Sequence, residues 1–197
     1  MGTVVAVLAV QGAFVEHERK LDRLGATCFE LRQRADLERP FDALVLPGGE
    51  STVQGRLLRE LGMLEPLRER IEAGLPVLAT CAGMILLAER IEPREEPHLA
   101  TMPITVRRNA YGRQLESFRT HAELAGVGQV PCTFIRAPYV EAAGPGVEVL
   151  ACVDGNTVAA RHGNQWALAF HPELDASDAV HAAFLASIRH APPTSAT

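Results

Sequence analysis

A cysteine, a histidine–carboxylate pair and a glycine-rich turn stand out for the chemistry they can do together. Cys81 lies between an apolar run, Pro76-Val77-Leu78-Ala79-Thr80, and a run of helix formers from Met84 to Glu89. Almost no loop separates the two, so Cys81 falls on a sharp strand-to-helix turn flanked by Ala79, Ala82 and Gly83, which are small enough for close packing. That is the setting of a nucleophile elbow, which stands a reactive atom over the C-terminal edge of a sheet beside the free N–H groups of the following helix. A buried structural cysteine is the alternative that this stretch alone leaves open. Phe170-His171-Pro172-Glu173 follows a later apolar strand, Trp166–Phe170. The proline stiffens the turn, so His171 and Glu173 can be held on one edge. A cysteine hydrolase needs such a set. The base takes the thiol proton and later protonates the leaving amine, while the carboxylate fixes the imidazole tautomer. His17, His98, His121, His162, His181 and His190 lack that context and read as surface or packing residues.

Pro47-Gly48-Gly49-Glu50-Ser51 lies between a strand and a helix. Its glycines make a tight turn, and they also let backbone N–H groups approach a ligand and face a developing oxyanion. No Gly-Lys-Ser/Thr follows, so it is not a P-loop. Arg107 to Gln114 and Phe134 to Pro138 carry loop arginines, one of which could clamp a carboxylate bidentately. Spacing alone does not choose among them.

The elements that must position these groups follow from the apolar pattern. Thr3–Val10, Thr27–Leu31 and Phe41–Leu46 read as buried strands ahead of the elbow strand. A helix carrying Phe14, His17, Leu21 and Leu24 ends at Gly25. Another, capped by Ser51 or Thr52, carries Leu57, Leu58 and Leu61, and a third carries Leu64, Leu67 and Ile71. This order predicts a doubly wound α/β fold, a three-layer sandwich with a mostly parallel central sheet. After Ile91 come a charged loop, Glu92–Pro97, and a smaller mixed-strand extension with strands at Ile104–Val106, Gln114–Phe118, Thr133–Ile135, Val147–Val153 and Thr157–Arg161. A last helix spans Ser177–Arg189. We expect one domain over residues 1–190 and a disordered tail over 191–197.

Composition sets outer bounds. A net charge of −5 offers no basic field for nucleic acid, and no apolar run reaches membrane-spanning length. The N-terminus lacks the basic region of a signal peptide. Cys28, Cys81, Cys132 and Cys152 are widely spaced, which suggests neither a zinc site nor a disulfide framework and fits a reduced, cytoplasmic setting.

From about Val4 to Arg189 the chain resembles the class I, triad-type glutamine amidotransferases, and most closely the glutaminase subunits of two-component pyridoxal 5′-phosphate synthases. The resemblance rests on Leu8-Ala9-Val10-Gln11-Gly12-Ala13, Leu46-Pro47-Gly48-Gly49-Glu50-Ser51-Thr52, Thr80-Cys81-Ala82-Gly83, Arg108-Asn109-Ala110-Tyr111-Gly112-Arg113-Gln114, Phe134-Ile135-Arg136-Ala137-Pro138 and Phe170-His171-Pro172-Glu173-Leu174. It implies a flavodoxin-like fold, Cys81 as nucleophile, His171 as base and acid, and Glu173 as its orienting carboxylate. It places Gly49, Glu50, Ser51, Arg108, Ile135 and Arg136 along a bound glutamine, with Gly49 and Ala82 supplying oxyanion-hole N–H groups. It implies hydrolysis of L-glutamine through a cysteine thioester, no metal or organic cofactor, and ammonia delivery to a (β/α)₈ synthase subunit, with Gln11 in a loop that rearranges on docking. Ala79 stands where the family often has glycine, Tyr111 replaces a frequent phenylalanine, and Asp175 replaces a usual threonine. Two other readings remain: a glutaminase serving another acceptor, such as imidazole glycerol phosphate synthesis, and a non-enzymatic cysteine sensor. The Arg108–Gln114 and Ile135–Pro138 stretches argue against the first, and His171-x-Glu173 against the second.

Overall fold

A computed structural model describes residues 2–108 and 117–188. The expected tail, His190, Arg189 and the stretch from Asn109 to Gln114, with Tyr111 and Arg113, lie outside them.

The chain opens with β1 (Val4–Leu8), α1 (Phe14–Arg23), β2 (Thr27–Leu31) and a 3₁₀ turn (Arg34–Glu38). It continues with β3 (Ala43–Leu46), α2 (Ser51–Glu60), α3 (Leu64–Glu72), β4 (Val77–Thr80) and α4 (Ala82–Leu87). Next come β5 (Ala88–Glu92), β6 (Met102–Arg107), β7 (Ser117–Leu124), β8 (Gly128–Ile135), β9 (Tyr139–Ala143), β10 (Glu148–Val153), β11 (Asn156–His162) and β12 (Gln165–Leu168). A 3₁₀ turn (Pro172–Leu174) and α5 (Ala179–Ile188) follow.

The main sheet runs β2-β1-β3-β4-β12-β11-β9-β6-β5, with β10 on β11. From β2 to β12 all neighbours are parallel. β11, β9 and β6 extend it by antiparallel pairing, and β5 adds parallel to β6. β3, β4 and β12 are buried along their whole length, as the unbroken apolar runs require. The chain steps one way from β1 to β2 and the other way from β3 to β4. Right-handed crossovers therefore put α1 on one face and α2 with α3 on the other. This gives the expected α/β architecture with a mostly parallel sheet. Its switch point lies between β1 and β3, where such sheets open a crevice beyond the strand ends.

Three local expectations change. The helix expected over Met84–Glu89 begins at Ala82 and ends at Leu87, and Ala88–Glu92 becomes β5. Pairing with β6 buries Ala88 and Ile91 and overrides the helix preference of Glu89 and Arg90. β9 went unread because Tyr139-Val140-Glu141-Ala142-Ala143 is mostly exposed and only Val140 is fully inward. Neither Ser51 nor Thr52 caps α2. Glu50 holds that position without a side-chain bond, and Ser51 is already in the first turn. Among the described residues no helix is long and apolar enough to cross a membrane.

The elbow depends on close contact between α4 and β3. A Cβ on Gly83 would sit 2.1 Å from the Leu46 carbonyl oxygen and 2.8 Å from its carbon. Backbone cannot yield as a side chain tip does, so Gly83→Ala should cost about 2–3 kcal/mol and lower Tm by roughly 5–10 °C in calorimetry. An unchanged Tm would show that α4 is not seated on β3 in this way.

Candidate active site

Four parallel strands deliver their C-terminal ends to one cleft of about 260 Å³, lined by Gln11, Gly49, Glu50, Ser51, Cys81, Ile85, Arg108, Ile135, Arg136 and His171. Gln11 follows β1, Gly49 follows β3, Cys81 follows β4 and His171 follows β12. This is the crevice the topology provides.

Cys81 adopts φ +48 and ψ −102, a left-handed conformation costly for a residue with a Cβ. The turn is held because the Cys81 N–H donates to the Leu168 carbonyl at 2.8 Å, extending the β4–β12 pairing. The thiol lies 4.0 Å from the Ile135 carbonyl. His171 reaches the cleft from the neighbouring strand end, and its ring lies close against the glycine turn. A Cβ on Gly48 would be 2.3 Å from His171 Cε1. His171 Nδ1 bonds Glu173 Oε1 at 2.6 Å, with Glu173 buried behind it. Burial works against charge on His171. Hydrogen bonds to Cys81 and Glu173, with the attraction of both groups, outweigh it and raise its pKa to about 10. Burial likewise disfavours the Glu173 carboxylate, but the imidazoles of His17 and His171 hold its pKa below the usual value.

The β7–β8 ribbon completes the wall. The His171 N–H donates to the Thr133 carbonyl at 2.8 Å, and Phe134 meets Phe170 edge to face, so β8 is fixed to the segment that carries His171 and Glu173. It presents Ile135 and Arg136, the latter at φ +42. Asp175, where the resemblance leads one to expect threonine, accepts from Thr133 Oγ1 at 2.7 Å and from its N–H at 3.2 Å, and so supports the same junction. Ala79 is buried at the pairing of β4 with β3 and β12.

The glycine turn is braced from β1 and α2. The Gly48 carbonyl accepts from the Ala13 N–H at 3.0 Å, and Gln11 Oε1 accepts from the Glu50 N–H at 2.8 Å. Gln54 Nε2 donates to the carbonyls of Gln11 and Pro47 at 2.9 and 3.2 Å. Ser51 Oγ is buried and lacks a hydrogen-bond partner, leaving it free for a ligand. Both candidate arginines stand at the rim with a carboxylate beside each: Arg108 with Glu95 and Thr52, Arg136 with Glu50 at 3.2 Å. Ala82 opens α4 directly after Cys81 and is buried.

The sequence reading missed Ile85, one helical turn after Cys81, because an apolar residue there reads as core. It also missed His17 and His181. His17 was counted on the apolar face of α1, yet its ring nitrogens meet His181 Nε2 at 2.9 Å, Thr80 Oγ1 at 3.2 Å and Glu173 Oε2 at 3.4 Å. A histidine on an otherwise apolar helix face was the available signal. His98 is buried beside Gly55 and Arg59 and serves packing, as read.

Residues 7–190 match the sequence model of the SNO glutamine amidotransferase family. The chain is 58% identical over 184 residues to the pyridoxal 5′-phosphate synthase subunit PdxT of Desulfitobacterium hafniense, covering 93% of this chain and 92% of that protein. It is 55% identical to PdxT of Methanocorpusculum labreanum, covering 93% and 97%. A crystal structure of a glutamine amidotransferase superposes with a TM-score of 0.89 at 44% identity, covering 94% of this chain and 98% of that one. PurLQS from Thermotoga maritima, at 14% identity and a TM-score of 0.68, shares the fold.

The His171–Glu173 pair has a pH signature. Folded His171 keeps its proton up to about pH 10, whereas an ordinary histidine loses it near 6.5. The stability this contributes is complete below pH 6.5 and is lost as pH rises towards 10. Glu173→Gln brings the His171 pKa down, so the variant should lose less stability than the wild type across that interval in urea unfolding. Equal losses would mean that Glu173 does not hold the His171 proton.

Proposed function

The chain belongs to the SNO glutamine amidotransferase family, and from that membership we propose its activity: it is the glutaminase subunit of a pyridoxal 5′-phosphate synthase, releasing ammonia from L-glutamine. The observation that carries this reading is Cys81, held at φ +48 on a strand-to-helix elbow and facing His171, which Glu173 binds at 2.6 Å.

His171 already holds the proton of the Cys81 thiol, and Sγ attacks the side-chain amide carbon of glutamine, forming an S–C bond and an oxyanion. The N–H groups of Gly49 and Ala82 are the donors we assign to that oxyanion. Collapse breaks the C–N bond, and His171 gives its proton to the departing nitrogen, which leaves as ammonia. Water then gives a proton to His171 and attacks the γ-glutamyl thioester. The S–C bond breaks, glutamate departs and the Cys81–His171 pair is restored, with the proton on His171. Arg108 and Arg136 are positioned to receive the α-carboxylate, Glu50 the α-ammonium, and Ser51 Oγ and Ile135 flank the amino-acid moiety. No step calls for a metal or organic cofactor.

The ammonia acceptor is a separate synthase subunit, which we take to be a (β/α)₈ barrel, in a reducing cytoplasm. Names of relatives at 58% and 55% identity weigh against an imidazole glycerol phosphate acceptor. Docking has a physical route into the site. The Gly48–Gly49 peptide is fixed through Ala13, and Glu50 through Gln11, so movement of residues 11–13 reaches the oxyanion turn. Turning that peptide costs one hydrogen bond and little steric strain at glycine.

Ammonia release by the isolated chain should therefore rise at least ~10-fold with the synthase subunit, which needs only about 1.4 kcal/mol of transition-state stabilisation. In that complex Cys81→Ala and His171→Asn should abolish release, Glu173→Gln should cost less than His171→Asn, and an electrophilic glutamine analogue should label Cys81 alone. Arg108→Ala or Arg136→Ala should raise KM for glutamine by the equivalent of about 2–3 kcal/mol. Full turnover by Cys81→Ala, or equal turnover with and without the synthase subunit, would contradict the reading.

A further inference from the structure

We propose that His17 is a positioning residue for the triad: its Nε2–H is shared between the Glu173 carboxylate and Thr80, the residue before the nucleophile. The inference deepens the glutaminase reading and rests on it for its kinetic test.

His17 is fully buried on α1, as is His181 on α5. Its Nε2 lies 3.2 Å from Thr80 Oγ1 and 3.4 Å from Glu173 Oε2, and its Nδ1 lies 2.9 Å from His181 Nε2. Burial pushes both imidazoles below their ordinary pKa, so each is neutral and carries one proton. Two arrangements are open. If His17 Nδ1 bore the proton and donated to His181, His181 would have to hold its own proton on Nδ1, which is buried without a partner. His17 Nε2 would then turn a lone pair towards a carboxylate oxygen. Both features are costly. In the other arrangement His181 Nε2–H donates to His17 Nδ1, and the orphaned His181 Nδ1 is a bare lone pair. His17 Nε2–H then points into the gap between Thr80 and Glu173. The second arrangement leaves His181 Nδ1 as an unpaired acceptor instead of an unpaired donor, but it removes the lone pair facing the carboxylate and puts a donor there, and His181 thereby sets the tautomer of His17 as Glu173 sets that of His171.

The consequence is mechanical. Glu173 Oε1 is engaged by His171; Oε2 is buried with no hydrogen-bond partner of its own and has His17 Nε2 at 3.4 Å, so His17 is the group placed to hold that free oxygen and keep the carboxylate from rotating away from the base. His17 sits one helical turn after Ala13, which anchors the Gly48 carbonyl, and one turn before Lys20, whose ammonium donates to the carbonyls of Asp175 and Ser177 at 2.8 Å. One face of α1 thus touches the oxyanion turn, the triad carboxylate and the segment that follows it.

Two substitutions separate positioning from packing. The amide nitrogen of glutamine reaches the place of imidazole Nε2, whereas that of asparagine reaches only the place of Nδ1. His17→Asn can keep the His181 contact but presents no donor to Glu173; His17→Gln presents one. In the complex with the synthase subunit, His17→Asn should lower kcat for ammonia release roughly 10- to 100-fold at unchanged KM, and His17→Gln should recover most of that loss. Alkylation of Cys81 by iodoacetamide, which needs no glutamine, should slow at least about fivefold in His17→Asn and recover in His17→Gln. Equal losses in the two variants, a wild-type kcat in both, or a loss carried by KM would overturn the proposal. If the wild-type complex released no ammonia but alkylation kept the predicted order, the glutaminase reading would fail and His17 would keep its role.

Discussion

A residue with a side chain does not adopt φ near +50 unless its surroundings leave no alternative, and Cys81 does so at the centre of this molecule. The strain is of order 1–3 kcal/mol, and the neighbouring structure over-determines it. β4 is fixed on one side by β3 and on the other by β12, and the Cys81 N–H is drawn to Leu168. α4 is pressed onto Leu46 through Gly83. With both ends of the turn set, the thiol has one direction in which to point. The same β4–β12 pairing brings Phe170 and His171 beside it, so one strand pair positions both Cys81 and His171.

What surrounds that pair is a set of braces. The β7–β8 ribbon grips the segment carrying His171 and Glu173 through Thr133, Phe134 and Asp175. α1 grips it from the other side through His17 and Lys20. The glycine turn is the least committed part. Its carbonyl and the following N–H are held by Ala13 and Gln11, neighbours in sequence that sit at the end of β1. In the proposed reading, catalysis and its control by a docking partner therefore fall on different parts of the cleft: Cys81, His171 and Glu173 are held by the sheet, while the Gly49 N–H hangs on Gln11 and Ala13.

The sequence was most legible where local rules and tertiary structure agree. Buried strands flanked by glycine and proline announced the parallel sheet, and the small residues around Cys81 and the His-x-Glu spacing pointed to residues that meet at its edge. It was least legible where a partner strand decides. Ala88–Glu92 looks helical and becomes a strand only because β6 lies beside it. Ser51 has the chemistry of a helix cap, but Gln11 takes the Glu50 N–H and leaves the Ser51 hydroxyl unpaired in the cleft. His17 has the spacing of a core residue, and only the approach of α1 to the far side of Glu173 gives it a polar neighbourhood. A pattern along one helix reports which face is inward and not which polar atom waits there.

The proposed reaction depends on a covalent bond between Cys81 and the substrate. Acid quenching of the complex with the synthase subunit while it turns over glutamine, followed by peptide mapping, reads that bond directly. A glutamyl adduct on the peptide containing Cys81, formed and lost at the rate of ammonia release, is the predicted result. Ammonia release with the Cys81 peptide unmodified, or with the adduct on another residue, would contradict the account.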